Sequence, residues 1–172
     1  MPTVKKRRDG AAQQLAHKPV HKPWPLDQRP GFLIRRLHQI HVALFQEACS
    51  AFEMTPLQYS LLSALAARGT ADQTSLAADI ALDRTTTTGA LKRLEARHLV
   101  ERPVSDDDRR ARVCRLTPAG AALLEKIETA AREAHRATVD SLSKTEQTAF
   151  IAMMQRIVAA NSGRDGATDV AE

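Results

Sequence analysis

Midway along the chain two short helical stretches stand only two residues apart, separated by Ala81-Leu82, and that interval constrains the fold more than any other feature. The first stretch runs from about Thr74 to Ile80. Asp83 is placed to cap the second, which carries Leu91 and Leu94 on its inner face. A turn this short holds two helices at a steep angle, the helix-turn-helix arrangement. Beyond it, Leu99-Val100-Glu101-Arg102-Pro103-Val104 and Arg112-Val113-Cys114-Arg115-Leu116-Thr117 read as two strands around a polar tip from Ser105 to Arg110.

Helix-start signals place the remaining elements around this centre. From Phe32 to Phe52 the apolar residues Leu33, Leu37, Ile40, Leu44 and Ala48 recur at three and four, a helix face. In Thr55-Pro56-Leu57-Gln58 a threonine caps, a proline fills the first turn and a glutamine sits at the reciprocal capping position, so a helix starts here and ends at Gly69. Thr117-Pro118 opens a long helix to about Asp140 with Leu123, Ile127, Ala130 and Ala134 on one face. Ser143-Lys144-Thr145-Glu146 is a full capping box for a last helix carrying Phe150, Met153, Met154, Ile157 and Val158. The fold class expected is mostly α with a small β-hairpin wing. The outer helices hold more apolar surface than a small central unit covers, which calls for a second chain.

Composition narrows the class. At 172 residues and 43% hydrophobic the chain fits one ordinary domain, and aromatics at 3% favour helix over strand. The net charge of +5 suggests a polyanionic partner, yet residues 1–29 alone carry seven basic and two acidic groups, which accounts for all of it. The body is neutral overall but contains one basic block, residues 84–115, with nine basic against five acidic side chains. We therefore expect a basic flexible arm over 1–29 that adds non-specific affinity, a body over 30–160, and a flexible C-terminus over 161–172. The longest uncharged stretch, Met54 to Ala67, is 14 residues, too short to span a membrane, and no signal peptide is evident; a cytoplasmic protein is expected. Cys49 and Cys114 are read as two buried thiols rather than a disulfide or zinc pattern.

Four blocks of residues resemble the multiple-antibiotic-resistance regulator (MarR) family of bacterial winged-helix transcription factors: Gln73-Thr74-Ser75-Leu76-Ala77, Leu91-Lys92-Arg93-Leu94-Glu95, Asp108-Arg109-Arg110, and Leu116-Thr117-Pro118-Ala119-Gly120. The resemblance covers Pro30 to Ala160. It implies a winged helix-turn-helix over about 55–117 and a homodimer joined by helices over about 31–52 and 118–160. It also implies a recognition helix in the major groove, Arg110 in the minor groove, and Asp108 holding Arg93 in support of the wing. His98 stands where many members carry a glycine. The family often houses small aromatic carboxylates or phenols between the first helices and the DNA-binding lobe. Pro30-Gly31-Phe32-Leu33-Ile34-Arg35-Arg36 also looks like the start of members controlling the breakdown of aromatic acids.

The residues support a DNA-reading role on their own chemistry. Arg84, Thr85, Thr86 and Thr88 lie within one turn at the positive end of a helix, where hydroxyls and amides reach phosphates and base edges. Arg84 can pair with a guanine, and a threonine methyl can meet a thymine methyl. The β-branched run from Thr85 to Thr88 weakens helix propensity and is tolerable where the side chains face DNA. Lys92 is a phosphate contact, and Arg109, Arg110 and Arg112 belong to the wing. The adjacent Asp106, Asp107 and Asp108 fit a charge-paired turn better than a metal site, since no glycine or later glutamate completes a calcium loop.

On the first helix His38, His41, Phe45 and Cys49 share a face with Ile34. The histidines are read first as structural or interface groups, second as part of an effector pocket with Phe45 and, from the second helix, Tyr59. A metal comes last, because His-x-x-His supplies two ligands where zinc wants at least three. No nucleophile with an adjacent base and no phosphate-binding glycine loop marks an enzyme, and no cofactor is implied. The leading expectation is a dimeric, ligand-responsive repressor on a pseudo-palindromic operator of double-stranded DNA with half-sites roughly 10 bp apart. The contrasting one is an architectural protein that coats DNA of any sequence.

Overall fold

The computed structural model describes residues 24–103 and 112–162. A short 3-10 turn at Leu26–Gln28 leads into α1 (Pro30–Ala48). There follow α2 (Pro56–Arg68), β1 (Thr70–Asp72), α3 (Gln73–Asp79), α4 (Arg84–Ala96), β2 (Val100–Glu101), β3 (Val113–Leu116), α5 (Pro118–Ala137) and α6 (Lys144–Asn161). The first helix is shorter than its apolar period suggests: it stops at Ala48, and residues Ser50–Phe52 form a separate 3-10 turn ending at Glu53 in the left-handed conformation.

The helix starts follow from their caps. Thr55 and Gln58 satisfy each other's backbone N–H in a capping box, Ser143 and Glu146 do the same for α6, and Thr117 accepts from the Gly120 N–H at 3.0 Å. Asp83 accepts from the Thr86 N–H at 2.8 Å, and Asp72 takes the amides of Thr74 and Ser75. The turn between α3 and α4 is a Schellman motif: Leu82 N–H bonds the Ala77 carbonyl, Ala81 N–H bonds the Ala78 carbonyl, and Ala81 sits at φ 53°. The same motif ends α4, with Leu99 N–H on the Leu94 carbonyl and His98 N–H on that of Glu95. His98, at φ 55°, thus adopts the left-handed conformation for which glycine is the usual residue.

The expected two-stranded hairpin is one part of a three-stranded antiparallel sheet in the order β1-β3-β2. Ala71 of β1 pairs with Cys114, and Val100 of β2 with Leu116. The extra strand is three residues wedged between the Gly69 cap of one helix and the Asp72 cap of the next, too short to show alternation. The core gathers Phe45, Leu61, Leu62, Leu65, Leu76, Leu91, Leu94, Val100 and Ile127, so one apolar centre joins α1 and α5 to the helix-turn-helix and sheet. Cys49 and Cys114 are buried in it, and burial pushes both thiols up, as for packing residues. By contrast α6 has no buried residue, with Ile157 62% and Val158 66% exposed. No helix among the described residues is long and apolar enough to cross a membrane.

Candidate nucleic-acid interface and effector cleft

The outward side of α4 is set by which of its residues the core claims. Thr87, Ala90, Leu91 and Leu94 are buried, which turns Arg84, Thr85, Thr86 and Lys92 to solvent. Within the threonine run Thr87 therefore faces inward, and its hydroxyl donates to the Asp83 carbonyl at 2.9 Å. Thr88 is half-buried; its hydroxyl donates to the Arg84 carbonyl at 2.5 Å and accepts from the Gln73 amide of α3. Its hydroxyl is thus engaged inside the protein. The only acid within α4 is Glu95, half-buried and 3.7 Å from the Arg102 guanidinium. Bonds from the Thr86 hydroxyl, then from the Thr86 N–H and the neighbouring backbone, hold the Asp83 carboxyl below its ordinary value, so the cap stays charged. Arg112 is exposed and donates to the Arg102 carbonyl at 3.3 Å. Arg93 is exposed as well; Asp108, Arg109 and Arg110, with the Asp108–Arg93 contact, lie outside the described residues.

A second cluster forms where α1, α2 and α5 converge. His41 and Phe45 of α1 meet Tyr59 of α2 and His135 of α5. The His41 and His135 rings stack with centroids 4.6 Å apart, and Phe45 lies 5.6 Å from Tyr59 and 6.5 Å, edge-on, from His135. His41 Nδ1 is 2.9 Å from Thr138 Oγ1, whose own hydrogen goes to the Ala134 carbonyl at 2.8 Å. The proton of the neutral ring is then on Nδ1, leaving Nε2 as an acceptor. Burial first, then repulsion from His135 and His38, lowers the His41 pKa. Tyr59 donates to Glu128 Oε2 at 2.8 Å, and Arg132 holds the other carboxylate oxygen at 2.6 Å. Burial and the bond to Glu128 push the Tyr59 phenol up, while Tyr59 and Arg132 bring Glu128 down.

Of the expected effector residues, the structure brings His41, Phe45 and Tyr59 together and leaves His38 exposed one turn away. Ile34, expected on the same face, is 65% exposed, so only the C-terminal half of that face is covered in one chain. His135, Thr138 and Glu128 were not singled out in the sequence. His135 follows buried Ile127, Ala131 and Ala134, so the inner stripe of α5 marks it as an edge residue of the same face. Gln73 and Arg102 were likewise missed, because their roles depend on contacts between elements. Arg97 joins the two regions: from the end of α4 its guanidinium donates to the Glu53 carbonyl at 2.7 Å and the Phe52 carbonyl at 3.1 Å, at the turn beyond α1. Among the described residues no group of three or more His, Cys, Asp or Glu side chains is gathered to hold a metal ion.

A sequence model of the MarR family matches residues 54–111, beginning just before α2. The HTH-type transcriptional repressor NicR of Pseudomonas putida is 32% identical over 136 residues, covering 79% of this chain and 86% of NicR. The structure of BpsR of Bordetella bronchiseptica, whose DNA binding is regulated by 6-hydroxynicotinic acid, is 30% identical with a TM-score of 0.74 and covers 79% of this chain and 97% of its own. PcaV from Streptomyces coelicolor, solved with its natural ligand, is 29% identical with a TM-score of 0.75, over 81% and 99% of the two chains. With the helix-turn-helix, the two hairpin strands and the flanking helices in the order the sequence indicated, this chain belongs to the MarR family.

Proposed function

We propose that this chain is a sequence-specific, DNA-binding transcriptional regulator, a repressor released from a pseudo-palindromic operator by a small anionic aromatic compound. The observation that carries the reading is the outward face of α4, where Arg84, Thr85, Thr86 and Lys92 stand together with no acid among them. Arg84 and the two exposed threonines are the base-reading groups, Lys92 is a phosphate contact, and Thr88 supports the first turn from behind. Arg112, with Arg109 and Arg110, supplies the wing, and Asp108 steadies it through Arg93.

The active unit is a homodimer. A helix of 18 residues with none buried, as in α6, needs a partner face, and α1 exposes Leu33 and Ile40 beside it in type. His41, Phe45 and Tyr59, with His135, line the effector cleft, with His38 at its rim. The similarity to BpsR favours a ligand of the 6-hydroxynicotinic acid kind. Such a ligand releases DNA only by binding the incompetent spacing of the two recognition helices better than the competent one. The protein works without catalysis or cofactor, in the cytoplasm.

The test is footprinting on DNA recovered with the protein, followed by titration with 6-hydroxynicotinic acid. A protected pseudo-palindrome that the acid releases supports the reading. Uniform protection of any sequence would favour an architectural role instead.

A further inference from the structure

Gln73, the first residue of α3, bonds in three directions. Its carbonyl oxygen accepts from Arg102 Nη2 at 3.1 Å, while its amide nitrogen donates to the Thr88 hydroxyl and to the Arg84 carbonyl at 3.4 Å. Arg102 follows β2, and its own carbonyl accepts from Arg112. Among the described residues its buried Nε makes no hydrogen bond, and its guanidinium is held by Gln73, by the Cys114 thiol and by the more distant Glu95. A chain of polar contacts therefore runs from Arg112 at the base of the wing, through Arg102 and Gln73, to the first turn of α4. A side-chain amide suits the middle of this chain, because its oxygen accepts from Arg102 while its nitrogen donates to Thr88 and to the Arg84 carbonyl; an ionised carboxylate cannot donate and an ammonium cannot accept.

We propose that Gln73 is a positioning residue for sequence discrimination: it locks the first turn of α4 to the strand that carries the wing, so that base contacts from α4 and groove contacts from the wing keep one register. The inference rests on the DNA-reading role assigned to α4. Gln73 acts through Thr88 and Arg102, which hold the backbone bearing Arg84, rather than by reading a base itself. Phosphate contacts, which are insensitive to small shifts of the helix, do not depend on it.

The experiment is selection from a random-sequence duplex library by the full-length protein, followed by affinity measurement on the selected site and on a random duplex. Three forms are compared: wild type, Gln73→Met and Gln73→Glu. The glutamate keeps the acceptor for Arg102 but loses the donor, and an acid in the first turn of α3 is favoured by the helix dipole, so this variant stays folded. Both variants are expected to lose about tenfold in the ratio of selected-site to random-duplex affinity. The uncharged methionine variant separates the loss of these contacts from the effect of the glutamate's added charge. Adding Thr88→Val to Gln73→Met is expected to cost no further discrimination, as for two groups in one contact. Folded variants that keep the wild-type ratio overturn the role of Gln73 alone. A wild-type protein that enriches no site overturns the DNA-reading proposal and this inference with it.

Discussion

The imidazoles of His41 on α1 and His135 on α5 stack with ring centroids 4.6 Å apart and planes inclined by 29°. A proton on His41 would be held in a half-buried site facing two other histidines. Its pKa is lowered by burial, by His135 and by His38, in that order, from the ordinary 6.5. Glu128, on the same stretch of α5, is engaged by Tyr59 and Arg132.

The stability consequence follows from linkage. Above about pH 7 His41 is neutral folded or unfolded and has no effect on stability. As pH falls below 6.5 the unfolded chain takes up a proton that the folded chain refuses, so stability declines until the lowered folded pKa is passed. Urea denaturation between pH 8 and pH 5.5 is expected to show this decline, and His135→Gln, which removes one source of repulsion, is expected to make it shallower. A His41 titration by NMR with its midpoint at or above 6.5 contradicts the account.

His98 holds φ 55° at the end of α4, a conformation that costs a side chain about 1–2 kcal/mol and glycine almost nothing, against about 0.5–1 kcal/mol of extra chain entropy for glycine. His98→Gly is therefore expected to raise the unfolding free energy by about 0.5–1 kcal/mol. The residue's carbonyl, which accepts from the Thr117 hydroxyl at 2.7 Å, is retained in the variant. A drop in urea midpoint would show that the histidine side chain contributes to the fold.

Gly120 is buried in the first turn of α5, and a Cβ there would lie 2.0 Å from the backbone oxygen of Leu99. Backbone cannot swing aside as a side chain does. Gly120→Ala is expected to cost about 3 kcal/mol, read from denaturation curves, by forcing α5 away from the end of α4. A variant as stable as the wild type would mean that α5 has room to shift against the sheet.

What the sequence made legible were features written in adjacent residues. Thr55-Pro56, Asp83, Thr117-Pro118 and Ser143 each cap a helix within a residue of where their spacing placed it, because a cap is a local hydrogen-bonding choice. Features spread over distant residues were not. The strand at Thr70–Asp72 exists only because β3 offers it a partner, and Gln73 gains its role only once Arg102 is folded back beside it. His135 became part of the aromatic cluster through the packing of α5 on α1. The threonine run misled in one respect: Thr87 lies against the core with its polar atom bonded to its own helix, so a β-branched run need not point one way.

If α4 reads DNA through its outward face, exposed Arg84 tests it most directly. The decisive measurement is the affinity of Arg84→Ala, relative to wild type, for the selected operator and for a random duplex over a range of salt. A loss of about 1–3 kcal/mol on the operator is expected, with a much smaller loss on the random duplex. Equal losses on both, or none on either, would contradict it.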